Sequence, residues 1–151
     1  MIIEVKSAEE MQALGGKIGT RITGGEVIVL IGDIGAGKTT FTKGLARAMG
    51  ISEDVQSPTF TVSRVYETAR GVTLAHYDFY RLSDPGIMRA ELAEAVHDPA
   101  TATIIEWSEI VADVLPVDAL RLTITATGET SRLVELAAGG ERSQALIEEI
   151  A

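Results

Sequence analysis

The sequence predicts an α/β fold in which helices flank a central mixed sheet. Apolar runs rich in β-branched residues, typical of buried strands, alternate along the chain with segments whose apolar residues recur at helical spacing. One such run, VIVLI at residues 27–31, leads directly into a glycine-rich loop and then into a helical pattern. Because a continuous apolar run is typical of a strand covered on both faces, this order favours a parallel sheet.

The composition narrows the class of protein. The 151 residues are expected to form one domain, residues 1–151, with a sizeable core. No apolar run approaches the length of a membrane span and the N-terminus is unlike a signal peptide, so we expect a cytoplasmic protein with no membrane partner. The lack of cysteine excludes disulfides and thiolate zinc sites. The net charge of −9 argues against strong nucleic-acid binding by this chain alone.

The predicted elements begin with a helix and a strand. Ser7 and Glu10 fit a capping box, and the apolar stripe after them predicts a helix over residues 7–23, despite three glycines within it. The first core strand is expected at residues 27–31. A second helix follows the glycine-rich loop, and Gly50 occupies the position expected for its C-terminal cap.

The later part of the chain is predicted to be mostly β-structure. The expected elements are strands at residues 60–66 and 72–78 joined as a hairpin around Gly71, a helix over 87–96, a strand at 103–107, paired strands at 119–126 and 132–138 around Gly128, and a closing helix over 141–150.

The glycine-rich loop predicts the ligand. Residues 32–39, GDIGAGKT, match G-x-x-x-x-G-K-[ST], the phosphate-binding loop of nucleoside triphosphatases. Glycines there leave backbone N–H groups open to phosphate oxygens, Lys38 can reach the β- and γ-phosphates, and Thr39 can offer its hydroxyl to Mg²⁺. The strand before and the helix after the motif predict a P-loop NTPase-like three-layer sandwich. Expected nucleotide contacts are Gly32, Asp33, Gly35, Ala36, Gly37, Lys38 and Thr39.

Hydrolysis requires an acid that holds Mg²⁺ or orients the attacking water, and two residues qualify. Asp78 and Glu106 each end a predicted strand, and open α/β sheets bind ligands at the carboxyl ends of their strands. Either residue is alternatively a solvated acid or part of a structural ion pair, such as one between Asp78 and Arg81.

Three further features are open to two interpretations. The segment 57–59, Ser-Pro-Thr, is either a loop that senses the γ-phosphate or a turn that enters a strand. Trp107 is more typical of a core or interface than of a base-stacking surface. His76 is more typical of a strand histidine than of a general base, so neither residue is placed among the catalytic candidates.

Four ordered motifs carry a resemblance to a known family. They are residues 32–41 (GDIGAGKTTF), 57–61 (SPTFT), 76–82 (HYDFYRL) and 105–108 (IEWS). In this order they resemble the signatures of the TsaE family, the bacterial ATPase of tRNA threonylcarbamoyladenosine biosynthesis. The resemblance extends from about residue 7 to the Glu-Trp pair and so covers most of the chain.

The resemblance implies an ATP-hydrolysing subunit that works with TsaB and TsaD, which transfer a threonylcarbamoyl group to the adenosine beside the anticodon of certain tRNAs. ATP and Mg²⁺ are the implied cofactors. The implied roles are phosphate contacts for Lys38 and Thr40, magnesium binding for Thr39 and Glu106, a part in hydrolysis for Asp78, and a switch segment at 57–59 that brings Thr59 to the nucleotide.

Three other functions are weighed against this one. A regulatory GTPase would need an Asn-Lys-x-Asp motif, and the chain contains no asparagine. A small-molecule kinase would normally add an arginine-bearing lid, whereas Arg64, Arg70 and Arg89 are scattered. A nucleotide-gated adaptor with negligible turnover is harder to separate from an ATPase, because both bind ATP.

Overall fold

The strands of the described residues form one mixed sheet. A computed structural model describes residues 1–58, 62–148 and 150. The strands are β1 (Ile2–Val5), β2 (Val27–Ile31), β3 (Ser63–Glu67), β4 (Thr73–Asp78), β5 (Thr101–Glu106), β6 (Leu120–Ala126) and β7 (Arg132–Ala138). Their order is β1-β7-β6-β2-β5-β4-β3. The four central strands β6, β2, β5 and β4 are parallel, and antiparallel strands flank them on both sides.

Helices cover both faces of this sheet. They are α1 (Ala8–Gly19), α2 (Lys38–Ala48), α3 (Met88–Ala95) and α4 (Glu141–Ile147), with a 3₁₀ segment at Ser108–Val114. Apolar residues of α1, α2 and α4 share one core with the sheet, and those of α3 and the 3₁₀ segment share a second core with it. The predicted three-layer α/β architecture is therefore confirmed.

Side-chain alternation directs three polar residues to the α2 side of the sheet. Leu74 on β4 and Ile104 on β5 belong to the core shared with α1 and α2. Alternate residues of a strand lie on the same face, so His76, Asp78 and Glu106 also face that side. Asp78 and Glu106 are direct register partners at the ends of adjacent parallel strands. The fold thus brings both predicted acids to one sheet edge beside the start of α2.

Several element boundaries differ from the sequence-based prediction. The first helix ends at Gly19 rather than residue 23, since Thr20 already forms its cap. The strand predicted at 103–107 ends at Glu106, because Trp107 adopts φ 55° and ψ 54°, which is left-handed. The closing helix ends at Ile147. The start predicted at residue 60 for the third strand lies outside the described residues.

The strand β1 was not predicted. Ile2–Val5 pairs with β7, more than 125 residues further along the chain. A four-residue edge strand carries little periodic signal, and its partner is too distant to be recognised from local sequence. The hairpins β3–β4 and β6–β7 have local turns around Gly71 and Gly128, and both predictions are confirmed.

Glycines within the helices allow α1 and α2 to pack closely. A Cβ atom on Gly15 would lie 2.2 Å from the Phe41 carbonyl oxygen, and one on Gly44 would lie 2.1 Å from the Gln12 carbonyl oxygen. These positions leave no room for a side chain. Because α2 begins at Lys38, this contact also fixes the helix that follows the phosphate-binding loop.

Alanine at Gly15 tests this close contact, with alanine at Gly16 as the matched control. We expect Gly15→Ala to lower the free energy of unfolding by about 1–3 kcal/mol, because the new methyl group must displace backbone. A Cβ on Gly16 would meet nothing closer than 3.7 Å. Gly16→Ala is therefore expected to raise stability by up to about 1 kcal/mol through helix propensity. Urea denaturation measures both changes, and equal effects would contradict the packing account.

Candidate functional site

A cleft of about 390 Å³ lies where the loop 32–37 meets the carboxyl ends of β4 and β5. Its lining includes most of the residues predicted from the sequence. These are Gly35, Gly37, Lys38, Thr39, Thr40, Asp78 and Glu106, together with Ser57 of the proposed switch segment. Residues from four separate parts of the chain therefore meet at one sheet edge.

The other predicted residues lie around this cleft. The Gly32 carbonyl accepts a hydrogen bond from Lys38, although Gly32 itself lines smaller neighbouring pockets. Asp33 is exposed, and Ala36 is buried against the opposite side of the loop. Thr59 lies outside the described residues.

The backbone of the loop is shaped to receive an anion. Gly35 and Gly37 adopt φ values of 82° and 113°, in the left-handed region that disfavours side chains. The Ala36 amide donates to the Asp33 carbonyl at 3.0 Å and closes a turn. Gly37 is the N-cap of α2 and has no side chain to bond the first amides of the helix. The positive end of the helix therefore stays open and faces the cleft.

Lys38 is held at the base of the cleft. Its Nζ donates to the Gly32 carbonyl at 2.7 Å and lies 3.8 Å from Glu106 Oε1. The same ammonium group lies 4.1 Å from the centroid of the Trp107 ring, in a cation–π contact. The side chain is only 7% exposed, so its charge acts in an environment of reduced dielectric.

Asp78 links the end of β4 to the segment that contains Ser57. Its Oδ2 accepts a hydrogen bond from the Ser57 hydroxyl at 2.7 Å, and its Oδ1 accepts one from the Tyr80 amide at 2.9 Å. The suggested partner Arg81 lies instead over the Tyr80 ring, 5.0 Å from its centroid. Each carboxylate oxygen keeps a second lone pair that can accept a further hydrogen bond.

Glu106 lies between Lys38 and a buried histidine. Its Oε2 is 2.6 Å from His76 Nε2, and its Oε1 faces Lys38. Carboxylate and hydroxyl oxygens are ligands that Mg²⁺ accepts, so Glu106 and Thr39 together suit this ion. Among the described residues, no group of three or more His, Cys, Asp or Glu is arranged to hold a metal ion.

Arg132 is a residue of the site that sequence reasoning missed. Its Nε donates to the Ala36 carbonyl at 2.9 Å and its Nη2 to the Gly35 carbonyl at 3.2 Å. The guanidinium group therefore joins β7 to the back of the phosphate-binding loop. No local motif marks this residue, which lies 96 positions after Ala36.

Two residues set aside as structural also belong to the site. Trp107 lines the cleft beside Tyr80, with ring centroids 4.8 Å apart. His76 contacts Glu106 directly. Their positions in the sequence could have indicated both residues. His76 is two residues before the predicted acid Asp78 and so lies on the same face of its strand, and Trp107 directly follows the other predicted acid, Glu106.

Comparison with protein families identifies the chain. Residues 5–134 match the family model described as threonylcarbamoyl adenosine biosynthesis protein TsaE. The chain belongs to the TsaE family. The sequence-based assignment to this family is therefore confirmed, and with it the connection to tRNA threonylcarbamoyladenosine biosynthesis.

Individual relatives agree with the family match. The tRNA threonylcarbamoyladenosine biosynthesis protein TsaE of Bacillus subtilis is 36% identical over 142 residues, covering 94% of this chain and 88% of the relative. The protein of the same name from Streptomyces coelicolor is 36% identical, covering 87% of this chain and 93% of the relative.

A solved structure supports the fold. The crystal structure of Bacillus subtilis YdiB superposes with a TM-score of 0.81 at 31% sequence identity, covering 99% of this chain and 92% of that one. The P-loop-like α/β fold predicted from the sequence is therefore shared with a solved protein. None of the helices in the described part of the chain has the length and apolarity of a transmembrane span.

Proposed function

We propose that this TsaE-family chain is a Mg²⁺-dependent ATPase subunit that works with TsaB and TsaD in the threonylcarbamoyl modification of tRNA adenosine beside the anticodon. The observation that carries the proposal is the placement of Lys38. Its ammonium group lies between the Gly32 carbonyl of the phosphate-binding loop and the Glu106 carboxylate, with Asp78 on the neighbouring strand.

In this proposal the triphosphate of ATP lies along the loop and the first turn of α2. Backbone N–H groups of residues 35–40 point at phosphate oxygens, and Lys38 neutralises charge on the β- and γ-phosphates. Thr39 and Glu106 would hold Mg²⁺, which when bound would neutralise charge on the phosphate oxygens. Thr40 follows them along the helix, close to the α-phosphate.

The proposed reaction is attack of water on the γ-phosphorus. A bond forms from the water oxygen to phosphorus, the bond to the β–γ bridging oxygen breaks, and ADP leaves with inorganic phosphate. Asp78 accepts a hydrogen bond from this water and orients it. Ser57 and the Tyr80 amide fix the Asp78 carboxylate, so its orientation costs little entropy at the moment of reaction.

A second groove provides a place for the nucleoside. It has a volume of about 200 Å³ and lies on the other side of the loop from the acids, between the start of α1 and the β6–β7 hairpin. Thr40 lines both spaces, and Ser7, Glu129 and Thr130 supply polar groups in the groove. An ATP molecule whose γ-phosphate faces Asp78 would extend its ribose and base in this direction.

The charge distribution supports slow hydrolysis by the isolated chain. Lys38 is the one cationic residue among the described residues that line the cleft. Phosphoryl transfer is accelerated by positioned positive charge, and a second cation is commonly supplied by a partner protein. We therefore propose that a partner completes or repositions the charge around the γ-phosphate.

Neutral replacements of the two acids separate an ATPase from a nucleotide-gated adaptor. We expect Asp78→Asn to lower ATP hydrolysis by about 100-fold or more while ATP affinity stays within about threefold, because the lost interaction belongs to the transition state. Glu106→Gln is expected to lower hydrolysis and the Mg²⁺ dependence of binding together. Phosphate release and titration calorimetry measure the two quantities.

The control for these replacements is Glu135→Gln, which removes one negative charge from the exposed face of β7. It is expected to leave hydrolysis and binding unchanged. Equal partner function in all variants, with ATP still bound, would contradict a role for hydrolysis and favour the adaptor.

Addition of partners tests the proposed place in tRNA modification. We expect purified TsaB and TsaD together to raise the rate of phosphate release at saturating Mg²⁺ and ATP by about tenfold or more, as one supplied cation can do. An unrelated acidic protein serves as control. No stimulation by the TsaB–TsaD pair, while ATP still binds, would remove the support for these partners.

A further inference from the structure

We infer that His76 is a positioning residue, which holds the Glu106 carboxylate in the orientation that binds Mg²⁺ and keeps it from pairing closely with Lys38. The inference rests on the proposed function and extends it to a residue outside the expected nucleotide and metal contacts. It depends on three observations: a short contact, an unpartnered ring nitrogen and the alignment of two strands.

The contact between His76 and Glu106 is short and buried. Nε2 of the imidazole lies 2.6 Å from Oε2 of the carboxylate. His76 is fully buried and Glu106 is 3% exposed, so water competes little for this bond. A hydrogen bond to a carboxylate in such surroundings is stronger than one between neutral groups and restricts the orientation of both side chains.

The second ring nitrogen shows which way the bond runs. His76 Nδ1 is buried and has no hydrogen-bond partner among the described residues. A proton on Nδ1 would leave an unpaired buried donor, which is costly. An ionised carboxylate can only accept, so the neutral imidazole with its proton on Nε2 donates to Glu106 Oε2, and Nδ1 is then a buried acceptor without a partner among the described residues.

This donation leaves one carboxylate oxygen for the cleft. Oε1 faces Lys38 Nζ at 3.8 Å, beyond hydrogen-bond distance. Without a donor on Oε2, the carboxylate could rotate and close this gap, since the attraction between opposite charges is strong in a buried site. The resulting ion pair would occupy both the ammonium group that phosphate needs and the oxygen that Mg²⁺ needs.

The register between β4 and β5 brings the His76 side chain within reach of Glu106. His76 is paired in register with Ile104 on β5, and Glu106 is two residues further along that strand. Such diagonal neighbours on one face lie within reach of long side chains. Strand β4 thus supports both acids, since His76 contacts Glu106 and the next residue on the same face is Asp78 itself.

The test compares His76→Gln with His76→Leu. A glutamine amide can place a donor close to the position of imidazole Nε2, whereas leucine fills similar space without a donor. The measurement is the ratio of the ATP dissociation constant in EDTA to that in Mg²⁺, determined by calorimetry for each variant. Thermal unfolding without ATP or Mg²⁺ reports folding separately.

We expect His76→Leu to lower this ratio by about 10-fold or more, as loss of a hydrogen-bond partner of a metal ligand commonly does, and His76→Gln to keep it within about threefold. In a Glu106→Gln background, His76→Leu should cause no further decrease in the ratio. The carboxylate that His76 would position is already absent from that variant. Should His76→Leu fail to fold, His76→Asn, whose amide is too short to reach Glu106, takes its place.

A purely structural histidine gives a different result. It would lower the unfolding temperature and weaken ATP binding equally with and without Mg²⁺, which leaves the ratio unchanged and overturns the inference. A wild-type chain that binds ATP with no Mg²⁺ dependence, or binds none, would instead contradict the proposed function. The two failures are therefore distinguishable in one set of titrations.

Discussion

The site depends on holding one buried cation close to a carboxylate without letting the two pair completely. Lys38 is kept on the Gly32 carbonyl, 2.7 Å away, and Glu106 is kept on His76, 2.6 Å away, which leaves 3.8 Å between the opposite charges. A free pair of these groups would close, because burial strengthens their attraction. The separation leaves charge and oxygen atoms available to a ligand.

This arrangement requires both the sheet and the helices α1 and α2 that pack on one of its faces. The phosphate-binding loop is anchored at its back by Arg132 of β7, and α2 is held against α1 through Gly15 and Gly44. Parallel strands β4 and β5 present their carboxyl ends together, which places Asp78 beside Glu106. Each part of the cleft is therefore positioned by an element distant from it in the chain.

The local parts of this site could be predicted from the sequence, and the long-range parts could not. The loop 32–39, the strand before it and the helix after it carry short-range signals, as do both hairpins. The contact between His76 and Glu106 depends on the register of two strands, and that between Arg132 and the loop depends on the position of β7. Neither register nor strand order follows from periodicity, so these two contacts were not predicted.

A crystal structure of the chain with Mg²⁺ and a non-hydrolysable ATP analogue tests this account most directly. We expect the triphosphate along the loop 32–37, with Lys38 Nζ on β- and γ-phosphate oxygens. The metal should be bound by the Thr39 hydroxyl and, directly or through one water, by Glu106 Oε1, while Oε2 stays on His76. A triphosphate bound elsewhere, or a metal held without Thr39 and Glu106, would contradict it.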